Sequence, residues 1–353
     1  MTSIFQSAAG LLVNPLFLAK GSLAAMSNDG QLLVSACPDN NTVQYTHLPT
    51  QSQKTICNAV VSAVGFRPND MQYQEHGLAR AIIRNEFLIA RLKDNIVMRY
   101  IPSLDCSRKP LHVQEPTALA CSATGQLLAV GTARGYIFIF DLTAEDQNPV
   151  FSSRFCPGPI AQVMFGIDGE HLFARDQDQN AYVYRLTIRY EECGSYLKSG
   201  GSVYLHSRIT SSTGQAKRIS QLANIFPNKV NHISLHPTIR QMALADGNRI
   251  YFWNYACATL SHFECPLAGP LTVFFCPDSD HFLVSSREGL AVYELARRQK
   301  PVATSTSAGG PYPVQYEIVL RAEERPTIFP SSRPGFLIRA LVERDGACIT
   351  ACS

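Results

Sequence analysis

From residue 22 onward the chain alternates short apolar runs with polar turns, and one arrangement of them keeps returning. Segments 22–48, 117–142, 161–186, 231–255 and 271–295 can be laid over one another. In each, an alternating strand passes through a tight turn into a run that is apolar at nearly every position. A polar turn follows, and then a third strand that ends in an aromatic residue. TALACSATGQLLAVGTARGYIFIFDL (117–142) is the clearest copy. Short runs rich in β-branched and aromatic residues, bounded by Gly, Pro, Asn, Asp and Ser, are strand signals.

The spacing is regular. Asp29, Thr124, Asp168, Pro237 and Pro277, all in the first turn, each precede the terminal aromatic by 16 positions. Those aromatics are Tyr45, Phe140, Tyr184, Trp253 and Tyr293. FLIARLKDNIVMRYI (87–101) matches LLAVGTARGYIFIFD (127–141) without gaps and adds Tyr100 to the series. From Tyr100 the following intervals are 40, 44, 69 and 40 residues. A period near 40 with about four short strands per unit is the pattern of β-propeller blades.

These residues resemble the WD40-repeat family. Phe140-Asp141 and Trp253-Asn254 stand where that family carries its Trp-Asp dipeptide, and Asp29-Gly30, Asp168-Gly169 and His236-Pro237 occupy its first turn. The chain departs from the family in having one tryptophan and no Gly-His dipeptide, so the family's hydrogen-bonded Asp-His-Ser-Trp network is expected to be mostly missing. The fold class expected is all-β: a single propeller over 1–353, seven-bladed, with six blades or an open ring as the alternative, and with one short helical insertion. Repeats fall near 22–50, 56–105, 115–145, 157–190, 228–260, 269–297 and 325–352. An apolar strand at 11–18 is expected to close the ring by pairing with the last copy, which would remove open sheet edges.

Three segments exceed what the repeat needs: 69–85, 187–229 and 297–330. The second accounts for most of the 69-residue interval. It holds six basic residues against Glu191 and Glu192, a local net charge of +4 in a chain whose total is +3, so the remainder carries −1. Within it Ile219, Leu222, Ala223 and Phe226 fall at helical spacing before Pro227, which predicts a short helix over 216–226. The stripe suits either a helix packed against its own propeller or a basic docking element; on the second reading Arg208, Lys217, Arg218, Ile219, Leu222 and Phe226 are the candidate partner-binding residues. The pair Arg297-Arg298 reads as a solvated turn.

Composition narrows the function. Hydrophobic residues at 46% supply a core, whereas charged residues at 17% fall below the usual quarter and suit a surface partly covered by other chains. A net charge of +3 does not favour nucleic acid. No uninterrupted run of about 18 apolar residues is present, and the apolar N-terminal stretch lacks a basic lead and is broken by Asn14-Pro15. Eleven cysteines, an odd number without a Cys-x-x-Cys pair, fit neither a zinc module nor a disulfide framework. Free thiols in a reducing compartment, the cytoplasm or nucleus, are expected. Cys-Pro pairs at 37, 156, 265 and 276 read as strand ends.

Catalytic chemistry is not in evidence. His232 and His236 lie in a strand-like run where positions four apart are separated by about 13 Å, and His206, His262 and His281 read as isolated turn residues. No nucleophile elbow, P-loop or dinucleotide fingerprint occurs. The expected role is a non-catalytic interaction scaffold, a stable subunit of a larger assembly, with no cofactor and with other protein subunits of acidic or amphipathic surface as partners. Two alternatives remain. A substrate receptor of a ubiquitin ligase would show a Trp-Asp-x-Arg ending, to which Phe140-Asp141-Leu142-Thr143 is the nearest approach; a propeller-based hydrolase or lyase would assemble its site across blades.

Overall fold

The structure, a computed structural model, describes residues 23–330 except 28–30, 38–39, 51, 69–70, 74–80, 84–85, 144–146, 170, 187–188, 194–205, 212–216, 219–229, 256–258, 276–280, 287, 300–315 and 321–326. The proposed closing strand 11–18 and most of the seventh repeat lie outside these residues. The chain divides into two compact units, one of Gly21–Pro227 and one built on Asn228–Ser353.

In the first unit, β1 (Leu23–Met26), β2 (Leu32–Cys37), β3 (Thr42–His47) and β4 (Ser52–Asn58) form an antiparallel sheet in chain order. The second sheet begins with β5 (Val61–Phe66), is interrupted by a hairpin of β6 (Met71–Tyr73) and β7 (Ala81–Ile83), and continues with β8 (Phe87–Arg91), β9 (Ile96–Ile101) and β10 (Cys106–His112). The third consists of β11 (Pro116–Cys121), β12 (Leu127–Thr132), β13 (Tyr136–Asp141) and β14 (Phe151–Arg154). The fourth has β15 (Ile160–Phe165), β16 (His171–Asp176) and β17 (Ala181–Arg185). After a separate hairpin of β18 (Arg189–Cys193) and β19 (His206–Ser211), it is completed by β20 (Lys217–Arg218).

In the second unit, β21 (His232–Leu235), β22 (Gln241–Asp246), β23 (Arg249–Asn254) and β24 (Thr259–Glu264) make the fifth sheet. The sixth has β25 (Thr272–Phe275), β26 (His281–Ser285) and the long β27 (Gly289–Gln299). The first half of β27 pairs with β29 (Thr327–Pro330) and its second half with β28 (Tyr316–Leu320). Arg297 and Arg298 are therefore strand residues opposite Ile318 and Glu317, not a turn. Among the described residues the only helix is one 3-10 turn, Pro102–Leu104.

The middle of the second strand of each sheet is apolar and buried because both its faces are covered. Phe87 and Ile89 of β8 pack toward Val34, Ala36 and Val43 of the first sheet, whereas Leu88 packs toward Leu128 and Val130 of the third. Leu127 and Ala129, on the opposite face of β12, join Val163, Phe165 and Leu172 of the fourth sheet. The fifth and sixth sheets meet through Ala243, Ile250, Phe252, Phe275, Phe282 and Tyr293. Full burial of each large side chain contributes about 1.5–3 kcal/mol, so these intersheet layers dominate stability.

The innermost strands touch in succession, β1 against β5, β5 against β11, β11 against β15, and in the other unit β21 against β25. Two bonds repeat there. A β-bulge after the first residue of β5 and β11 leaves Ser62 and Thr117 at equivalent places. Ser62 Oγ donates to Pro116 O, and Thr117 Oγ1 to Ile160 O at 2.6 Å, each reaching the first residue of the next inner strand.

All six spaced aromatics lie on third strands, in β3, β9, β13, β17, β23 and β27, and all but Tyr45 are buried. Their tips are anchored locally. Tyr184 Oη donates to Phe155 O and Tyr293 Oη to Cys265 Sγ at 3.5 Å, each reaching the exit of the preceding sheet. Tyr100 Oη donates to Asp105, which is also held by Lys54 of the first sheet.

Candidate functional site

The basic insertion is built partly of strands. Arg208 lies in β19 directly opposite Glu191 of β18. Lys217 and Arg218 form β20, opposite Arg185 and Tyr184 of β17. The helix predicted over 216–226 is thus corrected at its start, because Lys217 and Arg218 complete the outer edge of the fourth sheet and use their backbone in its ladder. Ile219, Leu222, Ala223 and Phe226 lie outside the described residues. The register sets Lys217 of the edge strand opposite Arg185 and Arg218 opposite Tyr184, whereas Arg208 belongs to a hairpin that forms its own two-stranded sheet.

The 69–85 insertion leaves the second sheet where the other sheets make a tight turn. In five of the sheets the residue after the first strand bonds through its backbone N–H to the carbonyl leading into the second: Ser27 to Leu32, Ser122 to Leu127, Gly166 to His171, His236 to Gln241, and here Arg67 to Glu86. Side chains reinforce the tight turns. Ser27 Oγ accepts Leu32 N–H at 2.9 Å, Ser122 Oγ accepts Leu127 N–H at 3.0 Å, and Asp168 accepts His171 N–H at 3.1 Å. His236 Nδ1 accepts from Thr238 and Ile239 N–H at 3.2 and 3.3 Å.

In the second sheet the neck is locked by charge instead. Arg67 Nη1 donates to Glu86 Oε2 and Arg99 Nε to Glu86 Oε1, both at 2.8 Å, with side-chain exposures of 3%, 7% and 1% for Arg67, Arg99 and Glu86. Arg67 Nε also donates to Gly125 O at 2.5 Å and Arg99 Nη2 to Leu142 O at 3.2 Å, which ties the neck to the third sheet. Burial alone would push the Glu86 carboxyl up, but the two guanidiniums and their hydrogen bonds outweigh it and hold the carboxyl below its ordinary value. Burial pushes the neighbouring Cys121 thiol up to about 12, which keeps it protonated and unreactive. Sequence reading missed this cluster. One signal was available: Arg99 sits inside the otherwise apolar run Ile96–Ile101, whose residues from Val97 on are all buried.

His206, His262 and His281 are strand residues of β19, β24 and β26, not turn residues, and His262 faces Tyr251 across the ladder with ring centroids 5.6 Å apart. His236 is fully buried in its turn. Asp176, also fully buried, accepts from the backbone and side chain of Asn180 and from Tyr182 Oη at 2.8 Å. Among the described residues no three His, Cys, Asp or Glu side chains gather where they could hold a metal. Cys37, Cys57, Cys106, Cys121, Cys156 and Cys265 are thiols, none in a disulfide. No helix of the described residues is long and apolar enough to cross a membrane.

No family model matches the chain, and no curated protein does. Solved structures do. A chain in the crystal structure of a mitotic checkpoint complex is similar with a TM-score of 0.52 at 12% identity, over 77% of this chain and 74% of that one. The β-propeller domain of Cps50 (Swd1) from Myceliophteria thermophila has a TM-score of 0.49 at 16% identity, over 77% and 79%. With 1471 solved chains matching, the likeness speaks for architecture and leaves function to the particular residues. In fold, this chain is a WD40-like β-propeller.

Proposed function

We propose that the chain is a non-catalytic interaction propeller that holds other proteins in a larger assembly, with the 187–229 insertion as a docking element for a partner of acidic or amphipathic surface. The observation that carries this reading is the register of β20, the outer edge strand, which sets Lys217 opposite Arg185. Like charges on facing positions destabilise a ladder in isolation and are relieved by a partner's carboxylates. The similar chain in the mitotic checkpoint complex offers a parallel for propellers in assemblies.

Because β20 belongs to the fourth sheet, the informative variant removes β18–β19 and keeps residues 217–218. Replacing 189–211 by a short Gly-Ser linker is expected to leave the melting temperature nearly unchanged. Partners identified by quantitative mass spectrometry after purification from the native source should then be depleted, because Arg189, Lys198 and Arg208 of the docking element are removed while the charges on β20 remain. The triple charge reversal Arg208→Glu, Lys217→Glu, Arg218→Glu should slow association, an effect that weakens as salt is raised. Partners retained by both variants would overturn the docking reading.

The reading also places the chain in a reducing compartment, cytoplasm or nucleus. Thiol titration of denatured protein, prepared without reductant, should find nearly all eleven cysteines free. Several disulfides would refute that placement.

A further inference from the structure

The insertions of the second and fourth sheets leave the first unit at the same end. Ser62 near the start of β5 bonds to Pro116 at the start of β11, and Thr117 to Ile160 at the start of β15, so these first strands run parallel. The 69–85 insertion departs where β5 ends. β17 is antiparallel to β16, which is antiparallel to β15, so β17 runs with the first strands. The 187–216 segment follows β17 and therefore departs at that end too. The third sheet stands between, and its carbonyls at Gly125 and Leu142 are the ones that hold Arg67 and Arg99 of the neck. Sheets packed face to face lie about 10 Å apart, so the departure points are separated by on the order of 20 Å, roughly six residues of extended chain.

The insertions carry complementary chemistry. In the hairpin of β6 and β7 the register sets Met71 opposite Ile83 and Tyr73 opposite Ala81. Alternation along each strand puts these apolar residues on one face, with Gln72 and Ile82 on the other. The hairpin joins no other sheet among the described residues. A two-stranded hairpin is marginal in water by itself and is stabilised by a layer laid over its apolar face. Its insertion has no net charge, with Arg80 and Arg84 against Asp70 and Glu75, whereas the 187–229 insertion carries the positive excess and ends its ordered part with Lys217 and Arg218 on an edge strand.

We propose that the two insertions form one docking surface, occupied by a single amphipathic, acidic segment of a partner protein that crosses the end of the third sheet. Its apolar side chains cover the face of Met71, Tyr73, Ala81 and Ile83, and its carboxylates pair with the cations of β20. The inference rests on the docking reading of 187–229 and adds to it the apolar half of the site. Burial at the hairpin supplies the affinity, and charge at β20 sets orientation and encounter rate.

The test places a photo-reactive benzoylphenylalanine in the full chain, at Gln72 of β6 or at Ser207 of β19, and identifies the cross-linked chains in the native source by mass spectrometry. The same partner chain is expected from both positions, and not from Thr55, exposed on β4. Tyr73→Asp, which puts a charge on the apolar face, should reduce the yield from Ser207 about fivefold or more. Lys217→Glu combined with Arg218→Glu should reduce the yield from Gln72 in the same way. Melting curves of the variants should match the parent, because the pairing of Phe66 with Phe87 and the Arg67–Glu86 bridge below the hairpin are untouched. Different chains at the two positions, or capture at Ser207 that is indifferent to Tyr73→Asp, would overturn the proposal. So would a melting temperature lowered by Tyr73→Asp with capture retained, which would mean that the chain covers the apolar face itself. Capture at Ser207 alone would remove the hairpin from the site and leave 187–229 as a docking element; capture at neither position would sink both readings.

Discussion

Glu86→Ala lowers the unfolding free energy by about 3–5 kcal/mol, measured by denaturant titration, because it leaves the buried guanidiniums of Arg67 and Arg99 without their counter-charge. The exposed pair Arg134–Glu115 is the comparison: Arg134→Ala should cost less than about 1 kcal/mol. The same carboxylate sets a pH dependence. Its pKa is depressed in the folded chain, so its contribution is complete above the ordinary value of 4.5 and is lost as pH falls through the folded-state value. The parent should therefore lose stability on acidification below 4.5 more steeply than Glu86→Ala does. A loss below about 1 kcal/mol on substitution, with an unaltered acid limb, would mean that the neck is held by backbone bonds alone.

Gly135→Ala is expected to be at least as damaging. Gly135 sits at φ +78 in the turn between β12 and β13, and its carbonyl accepts N–H groups from both Phe155 and Cys156. A Cβ there would lie 2.0 Å from Cys156 O and 2.9 Å from Gly158 O, both backbone atoms that cannot rotate aside. Gly169 has a nearly identical φ of +67 with nothing within 4 Å of the added carbon. Gly169→Ala thus isolates the left-handed backbone cost, about 1–2 kcal/mol. The clash should carry Gly135→Ala beyond about 4 kcal/mol, in the range reserved for severe single substitutions. Equal melting temperatures for the two variants would show that the corner between β14 and β15 yields easily.

The strands that could be read from sequence are those covered on both faces. Runs such as Leu127–Val130 and Phe87–Ala90 are uniformly apolar because neighbouring sheets take alternate residues, and the aromatic at a fixed distance ends the third strand for the same packing reason. Outer strands were harder. Ser52–Cys57 and Cys106–Lys109 face solvent on much of their surface, so they carry no alternation that distinguishes them from loops. Lys217–Arg218 is shorter still, and a helical stripe just downstream competed with it. The pairing of β27 with both β28 and β29 depends on contacts across residues 300–326, which no local pattern records. The ionic neck stayed hidden because Arg and Glu are normally surface residues. Their burial follows from partners that are distant in sequence, Gly125 O and Leu142 O among them.

The neck also separates two evolutionary pressures that an inserted segment usually couples. Phe66 and Phe87 are ladder partners, so the ends of anything placed between Arg67 and Glu86 are already held one strand spacing apart, about 5 Å. The constraint on the sheet ends at the buried ion pairs. Sequence beyond them can lengthen, shorten or diverge without altering the register beneath, much as a graft takes its form from its own tissue once the stock is bound. Changes in length or sequence confined to 69–85 are therefore expected to leave the pairing of β5 with β8 intact so long as Arg67, Glu86 and Arg99 are kept.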